Sequence, residues 1–298
     1  MVSRIIKKAL MALPGIGVYF RVNDPPGHFY SPVVSAKEII EKQDFIFSNK
    51  SNKITEVNLN EDLQLSLLEE VKQYYKDIPF KAQKTEGLRY YFENGYYSYS
   101  DAIFLHTFLR HFKPKRLIEI GSGFSSAVTL DTNDLFFNNS IKCTFIEPNP
   151  QRLYSILKPN EKESTEILVN EVQQIPLSKF SELNDGDILF VDSSHISKAG
   201  SDLNYIMFDI LPSLNKGVII HFHDIFYPLE YPKDLLANGD GFGGNEAYIL
   251  RAFLMYNDAF QIFSLNTFLE QFHKEWFEKN MPLCLKNLGG SIWMRKIK

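Results

Sequence analysis

The hydrophobic pattern changes character near residue 115. Beyond that point, short apolar and β-branched runs alternate with segments in which apolar residues recur at helical spacing. We predict strands at 116–120, 142–147, 166–169, 187–191, 217–222, 259–264 and 291–294. We predict helices between them at 125–135, 150–157, 203–211 and 246–256. This alternation predicts an α/β fold with a doubly wound, seven-stranded, mostly parallel sheet.

The chain before residue 115 has a different pattern. It predicts helices at 36–43, 61–76 and 101–112, with an aromatic stretch at 90–99. We therefore divide the chain into an N-terminal irregular and helical extension, residues 1–95, and a ligand-binding domain, residues 96–298. The extension and the aromatic stretch are expected to form a lid, although core packing is the better interpretation for at least half of those aromatic residues.

The first fourteen residues combine basic and apolar positions. Arg4, Lys7 and Lys8 precede an apolar run that Pro14 ends. The run is short and lacks a clear cleavage site, so a short amphipathic helix on the protein or on a membrane surface is favoured over a secretion signal. No stretch reaches the 18–20 apolar residues that a membrane-spanning helix needs.

Composition limits the classes of function. The chain has 298 residues, 44% hydrophobic and 23% charged, with a formal net charge of −4. It is typical of a globular protein, and no overall basic charge indicates a nucleic acid partner. Cys143 and Cys284 are too few for a cysteine metal cluster and favour a reducing, cytoplasmic location. We expect a small-molecule partner and leave a homo-oligomer open.

Acidic residues and glycines meet where the first two predicted strands end. Glu119 precedes a turn that contains Gly121 and Gly123, and Glu147 ends the second strand, 26 residues after Gly121. Position 126, where a dinucleotide-binding motif has its third glycine, is Ser126. A carboxylate at the end of the second strand, such as that of Glu147, can accept hydrogen bonds from both ribose hydroxyls. Solvated strand ends are the alternative, but the pair favours a nucleoside with a positive charge over a phosphate.

Residues 119–126, 145–150 and 187–192 resemble the successive motifs of class I S-adenosylmethionine-dependent methyltransferases. The resemblance extends over residues 95–298 and includes a reversed seventh strand in a Rossmann-like fold. It implies that Glu119 and residues 121–123 bind the methionine end of S-adenosylmethionine, and that Glu147 binds its ribose. The adenine is expected near Gln173 or Gln174. The predicted cofactor residues are Glu119, Gly121, Ser122, Gly123, Ser126, Glu147, Pro148, Gln173 and Asp192.

The fourth and fifth strands end in further acidic residues. Asp192 follows the fourth strand, and His223 and Asp224 end the fifth, so we predict a divalent metal site from these three residues. The arrangement resembles metal-dependent catechol-type and sugar O-methyltransferases, which also have a proline at the position of Pro228. These relatives usually have aspartate at the position of His223, so magnesium, a softer metal and no metal all stay open.

Histidines near these strand ends are candidate catalytic groups. His195, three residues after Asp192, is our predicted general base, with a hydrogen-bonded turn histidine as the alternative. Lys198 is the second candidate base. His223 is the other predicted catalytic residue. We expect His221 to lie on the opposite face of its strand and to be structural.

The predicted reaction is methyl transfer from S-adenosylmethionine to a hydroxyl of a small molecule or sugar, assisted by a divalent metal. Residues 192–202 and 223–228 also resemble a bacterial branch of methyltransferases with polysaccharide or secondary-metabolite acceptors. The loop 239–246 is expected to shape the acceptor pocket. The alternatives are a non-catalytic nucleoside-binding module and a metal-dependent hydrolase or oxygenase. A zinc hydrolase is disfavoured because no further cluster of Cys or His follows His223.

Overall fold

The protein is described by a computed structural model that covers residues 27–48, 51–159, 161–237 and 243–298. The described residues form two compact units, one within residues 1–50 and 231–243 and the other within 51–230 and 244–298. The predicted helix at residues 1–14 and positions 239–242 of the predicted acceptor loop lie outside the described residues. The division at residue 95 stays a prediction.

The larger unit contains a seven-stranded sheet in the part of the chain that the structure describes. The strands run in the order β3-β2-β1-β4-β5-β7-β6. All pairs from β3 to β5 are parallel, and β7 is antiparallel to both β5 and β6. The strands are β1 (Arg116–Ile120), β2 (Lys142–Ile146), β3 (Glu166–Leu168), β4 (Ile188–Val191), β5 (Ile219–His223), β6 (Phe260–Leu265) and β7 (Ser291–Lys296). The predicted doubly wound sheet is confirmed.

Helices connect most of these strands. The α-helices are α1 (Ala36–Ile46), α2 (Glu61–Tyr75), α3 (Tyr99–Phe112), α4 (Phe124–Phe137), α5 (Gln151–Ile156), α6 (Glu161–Ser164), α7 (Leu177–Phe180), α8 (Asp202–Tyr205), α9 (Leu211–Ser213), α10 (Lys233–Ala237), α11 (Glu246–Leu254), α12 (Asn266–Phe272) and α13 (Lys274–Asn280). Short 3₁₀ segments lie at Val172–Gln174 and Pro282–Lys286. No helix among the described residues has both the length and the apolarity needed to cross a membrane.

The smaller unit is built on a short helix pair. Ser35 caps the N-terminus of α1, and its side-chain oxygen accepts a hydrogen bond from the N–H of Glu38 at 3.2 Å, which satisfies a backbone donor of the first turn. Helix α1 packs against α10, where Lys233 Nζ donates to Gln43 Oε1 at 2.6 Å. These contacts hold together two stretches that are far apart in the sequence.

The sheet is buried on both faces because its central strands are nearly all apolar. Every residue of β4 and β5 is buried. Helix α3 is buried over its first eleven residues, which include Asp101, His106 and Thr107. Parallel strands covered by helices have continuous apolar sequences, and this is why the sequence locates them.

The predicted helix at 203–211 differs from the observed structure. The chain there forms α8, then a π-helix at Ile206–Ile210, then α9. Pro212 in α9 has no N–H to donate to the carbonyl of Phe208, so one hydrogen bond that a continuous α-helix would have is missing here. Apolar spacing does not distinguish this wider turn from a regular one.

The prediction that His221 and His223 face opposite sides of β5 is wrong. Side chains alternate along a strand, so residues two apart share a face. Their rings are stacked, with centroids 5.9 Å apart and planes 22° apart. His221 is completely buried between Phe190 and Trp293, whose ring centroids lie 3.9 and 4.4 Å from its own. Neither of its ring nitrogens has a hydrogen-bond partner.

The two cysteines are both free thiols inside the larger unit. Cys143 lies in β2 and Cys284 in the 3₁₀ segment at Pro282–Lys286. Burial raises the pKa of the Cys143 thiol to about 12 and raises that of Cys284 well above its ordinary value. Both therefore stay protonated near neutral pH.

Candidate active site

The turn after β1 requires glycine at its first position. Gly121 has a φ of +79°, and a Cβ added there would lie 1.7 Å from the carbonyl oxygen of Asp192. The N–H of Gly121 donates to Ile146 at 3.0 Å, and the N–H of Asp192 donates to Ile120 at 2.8 Å. The turn is therefore wedged between the ends of β2 and β4, and only glycine fits there.

Glu119 lies beneath this turn and is fully buried. Its Oε1 accepts hydrogen bonds from the hydroxyls of Ser125 at 2.6 Å and Ser126 at 2.8 Å, while Oε2 has no partner. Ser126 also accepts a hydrogen bond from the N–H of Gly123 at 3.0 Å. Burial raises the pKa of Glu119 to about 8, although the two serine hydrogen bonds oppose the shift. The side chain braces the turn from inside, and its direct contact with a ligand stays a prediction.

We expect Glu119 to make the stability of the fold depend on pH. A carboxyl group with a raised pKa stabilises the fold below about pH 4.5, and this contribution is lost as the pH rises through about 8. Each tenfold difference in proton affinity between the folded and unfolded chains is worth about 1.4 kcal/mol. Urea unfolding at pH 5.5 and pH 8.5 should show that wild type loses stability relative to Glu119→Gln. Glu275→Gln, a change in the first turn of α13, is the matched control. Identical pH profiles for wild type and Glu119→Gln would contradict the raised pKa.

Glu147 follows β2 and has its carboxylate oriented by backbone donors. Its Oε2 accepts from the N–H of Ser122 at 3.0 Å, and its Oε1 accepts from the N–H of Asn149 at 2.7 Å. These bonds hold the half-buried carboxylate beside the glycine turn, with lone pairs left to accept a hydroxyl of a ligand.

Two cavities adjoin the turn. The larger has a volume of about 510 Å³ and the smaller about 230 Å³. They share Gly121, Glu147, Asp192 and Ser193. The larger cavity extends past Pro148 and Gln173 towards Lys198, whereas the smaller extends over Ser122 and Gly123. Together they form an elongated site that turns around the end of β1.

Gln173 contributes a polar group to the larger cavity. Its Nε2 donates to the carbonyl of Gly200 at 2.9 Å, and its Oε1 is buried without a partner. The other predicted candidate, Gln174, is not among the lining residues and accepts a hydrogen bond from Asn170 instead. The structure therefore brings Gln173, rather than Gln174, to the cavity.

Three titratable side chains converge where β4 and β5 end. His195 Nε2 lies 3.4 Å from Asp192 Oδ1 and 3.6 Å from Asp224 Oδ2. Among the described residues, these three form a group whose potential ligand atoms all lie within 4.8 Å of one another. Although burial opposes the shift, His223 and His195 hold the pKa of Asp192 below its ordinary value. The arrangement suits either a proton or a cation between the carboxylates.

The opposite nitrogen of His195 is bound to a buried acid. Nδ1 lies 2.7 Å from Oε2 of Glu246, whose side chain is 1% exposed. The backbone N–H groups of Asn245 and Glu246 also donate to the carbonyl of His195, at 2.9 and 3.2 Å. Burial alone would lower the pKa of His195, but hydrogen bonds to Asp192 and Glu246 raise it to about 11. The start of α11 therefore fixes the position of the imidazole.

His223 lies next to this group but outside it. Its Nε2 is 3.7 Å from Asp224 Oδ1, its Nδ1 has no partner, and its ring packs 5.0 Å from Tyr97. The geometry thus brings His195, not His223, between the two acids. The roles predicted for His223 in metal binding and catalysis stay predictions.

Sequence reasoning misses the contributions of Glu246, Tyr96 and Arg152. The sequence indicates only that Glu246 favours the start of a helix, and its partner His195 is 51 positions away. Tyr96 belongs to an aromatic stretch that we assign mostly to the core, and it is 64% exposed at the rim of the smaller cavity. No local pattern distinguishes Arg152 from a surface arginine.

Sequence comparisons show which proteins this chain is similar to. Residues 118–225 match the family of methyltransferase domains. The matched segment contains the glycine turn and the ends of β4 and β5. An uncharacterized protein of Archaeoglobus fulgidus is 34% identical over 167 residues, 55% of this chain and 75% of that protein. The chain belongs to the class I S-adenosylmethionine-dependent methyltransferases, as its motifs implied. It is of one family with the archaeal protein.

Two methyltransferases serve as examples of the solved structures with which this chain aligns. An S-adenosylhomocysteine-bound methyltransferase of Podospora anserina, PaMTH1, aligns with a TM-score of 0.43 and 14% identity over 88% of this chain and 96% of its own. The O-methyltransferase TomG of Streptomyces achromogenes, in complex with S-adenosylmethionine, aligns with a TM-score of 0.42 and 12% identity over 86% and 96%.

Proposed function

We propose that this methyltransferase methylates a hydroxyl oxygen of a small-molecule or sugar acceptor, with assistance from a divalent cation. The observation that carries the proposal is the convergence of Asp192, His195 and Asp224 beside the cavity at the glycine turn. A hydroxyl needs a base and charge stabilisation to become a nucleophile near neutral pH, and this group of side chains offers both.

The larger cavity fits the adenosine portion of the methyl donor. Glu147 would accept hydrogen bonds from the ribose hydroxyls, and Gln173, which lines the same cavity, would lie near the adenine. The backbone of residues 121–123 allows the ligand to approach closely because Gly121 has no side chain. The sulfonium end would then lie towards Asp192, which lines both cavities.

The carboxylates of Asp192 and Asp224 fit a divalent cation. Hydrogen bonds to Asp192 and Glu246 favour a protonated His195 between the two carboxylates when no cation is bound. A divalent cation on these carboxylates would repel that proton, so Nε2 would then be neutral and able to accept one. A divalent cation held there would lower the pKa of the acceptor hydroxyl and orient it.

Nε2 of His195 can bind a cation or accept a proton, but not both at once. We assign the carboxylates of Asp192 and Asp224 to the cation and Nε2 of His195 to the hydroxyl proton. Glu246 is then a positioning residue that fixes the tautomer of His195 and stabilises the imidazolium formed when the proton is taken. The methyl group would pass from the sulfonium sulfur to the hydroxyl oxygen, which leaves a neutral thioether, and Nε2 of His195 would take the hydroxyl proton.

Transfer of labelled methyl from S-adenosylmethionine to a panel of catechols, sugars, amines and thiols tests the proposal. We expect products only with hydroxyl acceptors, loss of turnover after chelation, and recovery on adding Mg²⁺ or Mn²⁺. Asp224→Asn should weaken cation binding at least tenfold in calorimetry, because a charged ligand becomes neutral. The corresponding change at the exposed Asp258 is the control. Full turnover in chelator would contradict cation assistance, and methylated amines or thiols would contradict the hydroxyl class.

A further inference from the structure

A stacked aromatic–arginine pair closes one side of the smaller cavity. The guanidinium carbon of Arg152 lies 4.0 Å from the centroid of the Tyr96 ring. Tyr96 in turn stacks on Phe124, with centroids 5.8 Å apart and planes 11° apart. A Cβ added to Gly123 would lie 3.3 Å from Cδ and 3.9 Å from Nη1 of Arg152. The arginine therefore extends across the glycine turn.

The charges that line this cavity are complementary to an amino-acid zwitterion. Arg152 is the one lysine or arginine among its described lining residues, and Glu147 and Asp192 are its carboxylates. Within the described part of the chain, the guanidinium of Arg152 forms no ion pair, although its charge contributes to lowering the pKa of Asp192. The cavity is thus lined by one guanidinium group that has no ion-pair partner among the described residues, and by two carboxylates.

We propose that Arg152 binds the α-carboxylate of the methionine portion of the methyl donor, and that Tyr96 is the positioning residue that holds the guanidinium over the cavity. This inference rests on the proposed function, which puts adenosine in the larger cavity. The smaller cavity continues from it through Gly121, Glu147 and Asp192, so the amino-acid end of the same molecule reaches Arg152. The methionine ammonium then faces the acidic side of the cavity.

The local structure holds Tyr96 where this role requires it. Asn94 Oδ1 accepts hydrogen bonds from the N–H groups of Tyr96 and Tyr97, both at 2.9 Å. Asn94 Nδ2 donates to the carbonyls of Tyr91 and Tyr97 at 2.7 and 2.8 Å. The turn is thus fixed, although the ring of Tyr96 is exposed. Stacking occupies the face of the guanidinium and leaves its in-plane N–H groups available for a carboxylate.

Three ligands distinguish the contribution of the carboxylate to binding from that of the rest of the donor. Calorimetry on the full chain uses S-adenosylhomocysteine, its decarboxylated analogue, and 5′-methylthioadenosine, which lacks the whole amino-acid portion. Arg152→Met should weaken S-adenosylhomocysteine roughly tenfold to a hundredfold, the range for loss of a charge-assisted hydrogen bond. The other two ligands should bind both proteins within about twofold, because neither has a carboxylate for Arg152 to bind.

Further variants distinguish ligand binding from a structural effect. Tyr96→Phe should keep the wild-type affinity for S-adenosylhomocysteine, and Tyr96→Ala should lose part of it, because only the alanine removes the ring that supports Arg152. Arg110→Met is the matched control, since Arg110 is stacked 4.0 Å from the Phe136 ring away from both cavities.

Two outcomes would overturn the assignment of Arg152. One is an S-adenosylhomocysteine affinity of Arg152→Met within twofold of wild type. The other is equal weakening of all three ligands, which would indicate a disturbed turn rather than a lost contact. Failure of the wild-type protein to bind any of the three would instead refute the proposed donor site, and this assignment with it.

Discussion

Replacement of His195 by alanine should lower kcat for methyl transfer by roughly 10²- to 10⁴-fold, the usual contribution of a general base. The imidazole is the group that bridges the two acids, with Nε2 at 3.4 and 3.6 Å from their oxygens. If His195 takes the proton, the affinity for the divalent cation should stay within about threefold of wild type. Steady-state kinetics and calorimetry on the same samples measure the two quantities separately.

The surface of the protein offers a matched control for this variant. His273 forms a similar pair with Glu61, at 2.9 Å, and does not line either cavity at the glycine turn. His273→Ala should leave kcat unchanged, and Glu246→Gln should give a smaller loss than His195→Ala because the imidazole remains. A cation affinity that falls in parallel with kcat in His195→Ala would show that this histidine is a ligand rather than the base.

Replacement of Arg89 by methionine should lower the free energy of unfolding by about 3–5 kcal/mol, the usual cost of leaving buried charge without its partner. The guanidinium is almost inaccessible to solvent and binds three acids. Nη1 lies 2.6 Å from Asp131 Oδ1 and 2.8 Å from Asp134 Oδ2, and Nε lies 3.1 Å from Glu161 Oε2. This cluster ties the segment before the aromatic stretch to α4, the helix that follows the glycine turn.

Urea unfolding followed by circular dichroism measures the loss. Lys274→Met is the suitable control, because its ion pair with Glu278, at 3.4 Å, joins two side chains that are both more than half exposed. Exposed pairs contribute about 0–1 kcal/mol, so Arg89→Met should cost several-fold more than this control. A loss below about 1 kcal/mol in Arg89→Met would mean that the acids around it are stabilised by other contacts.

The sheet can be predicted from sequence because its strands are buried on both faces. The first predicted strand has the observed bounds, Arg116–Ile120, and the others begin or end within a few residues of the prediction. Apolar spacing cannot reveal the π-helix at Ile206–Ile210, which depends on hydrogen bonding rather than on burial. The mistaken face of His221 comes from misapplying the period-two rule, not from any irregularity of β5.

The candidate site is predictable where topology alone determines it. Glu147, Asp192 and Asp224 follow the parallel strands β2, β4 and β5, and the doubly wound strand order brings the carboxyl ends of these strands to one edge of the sheet, on either side of β1. The approach of Glu246 to His195 depends on the path of the chain over 51 residues, and no local periodicity encodes such a path. The same holds for Tyr96 and Arg152, which meet only because the turn at Asn94 and helix α5 are brought together by the fold.

The protonated state of both thiols has a practical consequence for spectroscopy. Maleimides and similar reagents attack thiolates, and neither Cys143 nor Cys284 offers one near neutral pH. The native cysteines should therefore not react in site-directed labelling. Two new cysteines on exposed surfaces could carry a pair of fluorophores or spin labels without prior removal of the native ones, and distances across the donor site could then be followed during turnover.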